Sequence, residues 1–203
     1  MNAGWTIPQI WEGETCYIIG GGPSVKTAEL SLLRGRRTIA VNNAYQLGDW
    51  DILFYGDCRW RELHANKLAD WPGLKIHACN HGTERIGDTK RVERRNLQGL
   101  SRNPEILAWN LSSGACAVNL ATLLGVKKIV LIGFDMRKID GQNNWHVDHP
   151  TSNRKGYDPY KRFLGPFPKI AEDLAKLKVE CINATPGSAL TLFPIMTLPE
   201  AVC

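Results

Sequence analysis

A chain of 203 residues, 43% hydrophobic and 22% charged, carries enough apolar material for one substantial core; this excludes a disordered chain and requires no second domain. The net charge of +5 is mild, and the longest apolar runs, such as Ile129-Val130-Leu131-Ile132, fall far short of the roughly 20 residues that cross a bilayer. Met1-Asn2-Ala3-Gly4-Trp5 lacks the basic start and apolar core of a signal peptide, so the sequence predicts a cytoplasmic protein with no membrane span.

Cys16-Tyr17-Ile18-Ile19 reads as a short buried strand running into Gly20-Gly21-Gly22-Pro23-Ser24. Val25, Ala28 and Leu32 then fall near helical spacing, and Gly35 is a plausible stop, so a first helix is expected over 25–33. Thr38–Val41 is a second strand ending in Asn42-Asn43, and Ile52–Tyr55 a third ending in Gly56-Asp57. A helix is predicted from Arg59 to Trp71, stopped by Pro72-Gly73, with His64 on its surface; Leu74–Ala78 follows as a fourth strand.

Residues 80–110 are basic and weakly periodic and read as an irregular insertion with one short strand near Ile106-Leu107-Ala108. Within it, Arg85 to Arg102 holds six basic residues against two acidic ones, either a solvated face or an attractor for a polyanionic acceptor. Ser112 and Ser113 are candidate N-caps for a helix that places Ala117, Leu120, Ala121 and Leu124 on one face and stops at Gly125. Ile129–Ile132 is a buried strand ending in Gly133-Phe134-Asp135. A polar loop over 136–165, a helix from Phe167 to Leu177, and a strand from Val179 to Ile182 complete the pattern. Strands alternating with helices predict a single-domain α/β protein: a mostly parallel, Rossmann-like sheet flanked by helices.

The six cysteines, Cys16, Cys58, Cys79, Cys116, Cys181 and Cys203, are scattered with no C-x-x-C pair, which suits reduced, mostly buried thiols better than disulfides or a zinc knot.

In an open parallel sheet, ligands collect beyond the carboxyl ends of the strands. The segments there are Gly20, Gly21, Gly22, Pro23 and Ser24; Asn42 and Asn43; Gly56-Asp57; Gly133-Phe134-Asp135; and Asn183 to Ser188, all expected to face one rim. Ser112, Ser113 and Gly114 add a helix start. Glycines let the backbone approach a phosphate while amides at a helix start donate to it, although a plain strand-to-helix turn is the alternative. The loop has neither the G-x-G-x-x-G spacing nor the G-K-[ST] ending of a P-loop, which disfavours a standard dinucleotide or ATPase site. Asp135 suits a ribose hydroxyl or a metal, and otherwise caps its loop. His146-Val147-Asp148-His149 is the densest titratable group; either histidine is a candidate general base, while zinc would need further ligands that only distant His77 and His81 offer.

Tyr17 to Ser24, Val41-Asn42-Asn43, Ser112-Ser113-Gly114 and Ile132-Gly133-Phe134-Asp135 together resemble a Rossmann-like superfamily. It contains the archaeal 6-hydroxymethylpterin diphosphokinase-like (DUF115) proteins and the bacterial sialyltransferases that use CMP-sialic acid. The order and approximate spacing agree from Cys16 to about Pro194, and the closing Asn183 to Leu190 looks most like stand-alone phage and prophage members. The resemblance implies a nucleotide-sugar-dependent glycosyltransferase. The glycine loop and Asn42 or Asn43 would meet phosphate and sugar, Ser112 to Gly114 would hold base or donor, and His149 or His146, beside Asp148, would deprotonate a hydroxyl acceptor without a bound metal. Its other branch implies a pyrophosphokinase in which Asp135 and Asp57 hold Mg²⁺. A third reading, a non-catalytic nucleic-acid or protein-binding module, would use Arg85 to Arg102, Arg154-Lys155 and Lys161-Arg162. The oligomeric state stays open.

Overall fold

The computed structural model describes residues 4–79, 89–147 and 158–203. Strands β1 (Thr15–Ile19), β2 (Arg37–Val41) and β3 (Ile52–Tyr55) precede helix α1 (Cys58–Leu68), followed by β4 (Leu74–His77), β5 (Lys90–Arg91), β6 (Glu93–Arg95) and β7 (Ile106–Ala108). Helix α2 (Ser113–Leu123), β8 (Lys128–Ile132), α3 (Tyr160–Leu164), α4 (Phe167–Leu177), β9 (Glu180–Asn183) and α5 (Leu198–Val202) follow among the described residues. Seven strands form one parallel sheet in the order β5-β4-β3-β2-β1-β8-β9, so the fold is α/β and Rossmann-like as expected.

Alternation along the strands divides the core. Cys16, Ile18, Ile39, Phe54 and Leu131 face α2 and α4, whereas Tyr17, Ile19, Ala40, Leu53 and Ile132 face Trp60 and Leu68 of α1 and Val25. Both faces are covered, which is why these strands are almost uniformly apolar. Helix α2 is buried nearly all round: Ala115, Cys116, Val118 and Asn119 are covered as well as the face foreseen from spacing.

Four expectations are corrected. Residues 25–33 are not an α-helix; two 3₁₀ turns, Pro23–Thr27 and Leu30–Leu33, stand there. Extended backbone at Ala28 interrupts the run, and so short a segment gains too few i→i+4 bonds to offset nucleation. The insertion is less irregular than expected, since β5 extends the main sheet and β6 pairs in parallel with β7. The polar loop contains α3, and its 139–142 portion forms a tight bridge, Ile139 with Gln142. His64 lies inside: with Trp60 and Leu68 at i, i+4 spacing it occupies the inner face of α1, its ring stacked on Trp60 at 4.3 Å and its Nδ1 3.0 Å from the Tyr45 hydroxyl.

Candidate functional site at the β1–β8 switch point

The chain leaves β1 toward β2, β3, β4 and β5, then returns to β8 on the other side of β1. The turns after β1 and β8 therefore diverge, and a crevice opens between them where ligands settle in such sheets. A cavity of about 320 Å³ occupies this place. It is lined by Gly20, Gly21 and Gly22 after β1, Asn42 and Asn43 after β2, Asp57 after β3, Gly133 and Asp135 after β8, and Ser112, Ser113 and Gly114 at the start of α2. Segments remote in sequence thus meet on one rim.

Their roles differ from a simple phosphate cradle. The Ser24 hydroxyl donates to Asp135 Oδ2 at 2.9 Å, and the Ser24 amide also serves this carboxylate. A β-carbon on Gly22 would lie 1.8 Å from Asp135 Oδ2 and 2.6 Å from the Gly133 carbonyl oxygen. Gly22 is needed because the chain's own carboxylate passes over it. The Gly20 and Gly22 amides are likewise taken, by the carbonyls of Ile132 and Gly133. Since a 3₁₀ turn follows the loop, the expected α-helix start is missing; Ser24 borders a second, smaller cavity with Thr27, Thr197 and Pro199. Burial holds the Asp135 carboxyl above its ordinary pKa, with the Ser24 hydroxyl and amide pulling the other way.

Asn42 and Asn43, equivalent in sequence, separate in structure. Asn43 Oδ1 accepts from Trp60 Nε1 and is buried. Asn42 sits at a positive φ of 52° that asparagine tolerates, and its buried Oδ1 lines the cavity with no hydrogen-bond partner among the described residues. Ser112 is the N-cap of α2, its Oγ accepting from the Ala115 amide at 3.2 Å, while Ser113 is the first helical residue at the rim. Gly20 and Gly114 flank the Phe134 ring.

His146 lines the cavity, and the backbone carries it there: the Trp145 amide donates to the Gly21 carbonyl at 3.0 Å, fastening the 139–147 segment onto the glycine loop. His149 and Asp148 lie outside the described residues, as do His81, Arg154 and Lys155. Sequence reasoning missed several wall residues, Trp60, Trp109, Asn143, Asn144, Tyr160 and Phe163, and named Arg162 only for a nucleic-acid or protein surface. The Tyr160 hydroxyl donates to the Asn143 carbonyl at 3.0 Å, and burial, then Asp135 and Asp158, push its pKa up.

Trp109 is held with care. The Arg94 guanidinium lies over its ring at 4.0 Å and donates to the Gly56 carbonyl at 2.8 Å; a β-carbon on Gly56 would come within 2.2 Å of the indole. A tryptophan placed between a predicted strand and a helix cap, outside the apolar periodicity, was the one available signal.

For a metal, the donor set is poor. Asp135 serves Ser24, and Asp57 Oδ1 caps α1 by accepting from the Arg59 amide at 2.9 Å. Among the described residues no group of three or more His, Cys, Asp or Glu side chains is placed to hold an ion.

Two solved structures from Campylobacter jejuni share this architecture. The sialyltransferase CstII in complex with cytidine-5'-monophosphate is 16% identical with a TM-score of 0.57, the match covering 92% of this chain and 86% of that one. The monofunctional alpha-2,3-sialyltransferase Cst-I is 15% identical with a TM-score of 0.60, over 90% and 80% of the two chains. The likeness is one of fold. A sialyltransferase Cst-II variant in complex with CMP gives 17% identity and a TM-score of 0.52. No protein-family model and no curated protein matches the chain. No described helix is long and apolar enough to cross a membrane.

Proposed function

We propose that this chain is a nucleotide-sugar-dependent glycosyltransferase that seats a cytidine-type nucleotide in the cavity at the β1–β8 switch point. The observation that carries the reading is the cavity itself: a crevice of ligand size, at the place this topology reserves for nucleotides, in a fold shared with sialyltransferases solved with CMP. The unpartnered Asn42 Oδ1 and the hydroxyl of Ser113 suit the polar edge of a base or sugar. Arg162, the one Lys or Arg among the described wall residues, suits the departing phosphate. The glycine loop contributes by letting Asp135 and the 139–147 segment close over it.

Over β3, Trp60, Trp109 and Asp57 combine aromatic surface with a carboxylate, a composition suited to the apolar face and hydroxyls of a sugar acceptor. In this reading, an acceptor hydroxyl attacks the anomeric carbon of the donor, its proton passes to the His146 imidazole, and the glycosidic bond to phosphate breaks with the nucleotide monophosphate leaving. His149 and Asp148 belong to the same polar segment and are kept as alternative bases. The pyrophosphokinase reading ranks lower because Asp57 and Asp135 each spend donor atoms on the protein itself.

Isothermal titration against CMP, UDP, GDP and ADP tests the reading. Binding of CMP with preference over the purine nucleotides is expected, and no binding by any of the four at millimolar concentration would overturn it. With a CMP-sugar, His146→Ala is expected to slow turnover by about 10²–10⁴-fold with the CMP Kd little changed.

A further inference from the structure

Behind the cavity wall formed by Asp57 and Trp60 lies a pair of thiols that the proposed transfer reaction does not use. Cys58 is the first residue of α1, immediately after Asp57, and Cys79 lies two residues beyond β4. Parallel pairing sets Tyr55 against His77, and the Ala78 amide donates to the Tyr55 carbonyl at 3.0 Å, so the two chains run side by side toward Cys58 and Cys79. The two side chains meet in a thiol–thiol hydrogen bond. Cys58 is half-buried and Cys79 is buried; burial first, then the Cys58 thiol, push the Cys79 thiol well above its ordinary pKa, with Arg61 and Arg94 pulling weakly the other way, so Cys79 stays a protonated partner. Cys16, Cys116 and Cys181 belong to the apolar core on the other face of the sheet, whereas Cys79, with Cys58 packed against it, belongs to the cluster that includes Trp60 and Tyr55.

We propose that Cys58 and Cys79 are a reversible dithiol that closes to a disulfide on exposure to a peroxide and thereby alters the cavity wall at Asp57 and Trp60. Cys58, at a helix start and the more accessible of the two, is the attacking thiol. Its thiolate takes an oxygen atom from hydrogen peroxide, releasing hydroxide and leaving a sulfenic acid. Cys79 sulfur then attacks the Cys58 sulfur; the S–S bond forms, the S–O bond breaks, and the leaving hydroxide takes the Cys79 proton to become water. Two thiols and one peroxide give one disulfide and two waters. Because Asp57 and Trp60 flank Cys58 and line the cavity, fixing Cys58 to the β4 end repositions both. The disulfide itself is independent of the glycosyltransferase reading; its effect on nucleotide binding rests on that reading.

The experiment uses the full chain carrying Cys203→Ser, which removes the exposed thiol at the end of α5. Reduced protein is treated with one equivalent of hydrogen peroxide, alkylated, weighed intact and mapped by proteolysis. The expected result is a mass lower by two hydrogens, a Cys58–Cys79 peptide, reversal by dithiothreitol, and no such peptide from Cys58→Ser or Cys79→Ser; Cys79→Ser should leave a dimedone-reactive Cys58. Alkylation of both thiols after oxidation, or crosslinks through other cysteines, would overturn the proposal. Titration of CMP into both forms is expected to show weaker binding to the disulfide form by at least about fivefold. If CMP binds neither form, the glycosyltransferase reading fails while the mass and peptide map still decide the dithiol.

Discussion

The Ser24 hydroxyl and the Asp135 carboxylate, 111 residues apart in sequence, meet at 2.9 Å and tie the turn after β1 to the turn after β8. An anion therefore already sits at the inner side of the glycine loop, and it belongs to the protein. The open polar surface of the cavity lies farther out, on the wall that includes Asn42, Ser113 and Arg162.

This arrangement makes Gly22 sensitive to the smallest side chain. Gly22→Ala puts a methyl group against both Asp135 Oδ2 and the Gly133 carbonyl, and it is expected to cost about 3 kcal/mol or more in urea unfolding. Gly22→Ala combined with Asp135→Ala should recover part of that loss, because the carboxylate clash is gone while the carbonyl clash remains. A cost under about 1 kcal/mol for the single variant would contradict the close approach.

Asp135 also makes stability depend on pH. Its folded pKa is raised, so the folded state holds this proton more tightly than the unfolded state does. The favourable contribution is complete below the unfolded value of about 3.9 and is lost as pH rises through the folded value. Unfolding free energies of wild type and Asp135→Asn, measured from pH 3.5 upward, should therefore diverge, with wild type losing ground to the variant as the carboxyl ionises. A difference that is constant with pH would show that burial does not bear on this group.

His77 works in the opposite direction. Buried at the end of β4 against the Tyr55 ring, 5.5 Å away and nearly parallel, its pKa is lowered to about 4 by burial first, then by Arg61 and Arg91. The stabilising contribution is whole above the unfolded value near 6.5 and is lost as pH falls toward 4. Wild type should lose about 3 kcal/mol more than His77→Phe across that window, the phenyl ring preserving the stack on Tyr55. Parallel pH profiles for the two proteins would refute this.

Asn119 supports Trp109 from a distance. Fully buried in α2, its Oδ1 accepts from the amides of Ser101 at 3.1 Å and Ala108 at 2.9 Å, and its Nδ2 donates to the Ser101 carbonyl at 3.0 Å. Asn119→Ala leaves two amides unmet and is expected to cost about 2–4 kcal/mol. Trp109 follows Ala108 directly, so a change in tryptophan emission should accompany the loss; a variant as stable as wild type would remove Asn119 from this role.

Much of the main sheet was legible because its central strands are short apolar runs punctuated by glycine, asparagine or aspartate: β1, β2, β3, β4, β8 and β9, and β7 of the small second sheet, all lie within a residue or so of their expected places. The two-residue β5 and the charged β6, Glu93-Arg94-Arg95, were not, since their pairing with β4 and β7 leaves no apolar period to read. Likewise, local spacing made an α-helix of 25–33, but too few consecutive helical bonds form there to hold one.

For the site, the sequence by itself determined which turns stand beyond strand ends, and hence that Gly20 to Gly22, Asn42-Asn43, Ser112 to Gly114 and Gly133 to Asp135 share one rim; Asn183 to Ser188, expected there too, instead gives Ala184 and Pro186 to the smaller cavity. Only tertiary structure decided what each does. Asn42 keeps a buried oxygen without a partner among the described residues while Asn43 serves Trp60, and Ser24 faces Asp135, because hydrogen bonds between residues far apart in the chain depend on strand order and register, which no local pattern encodes.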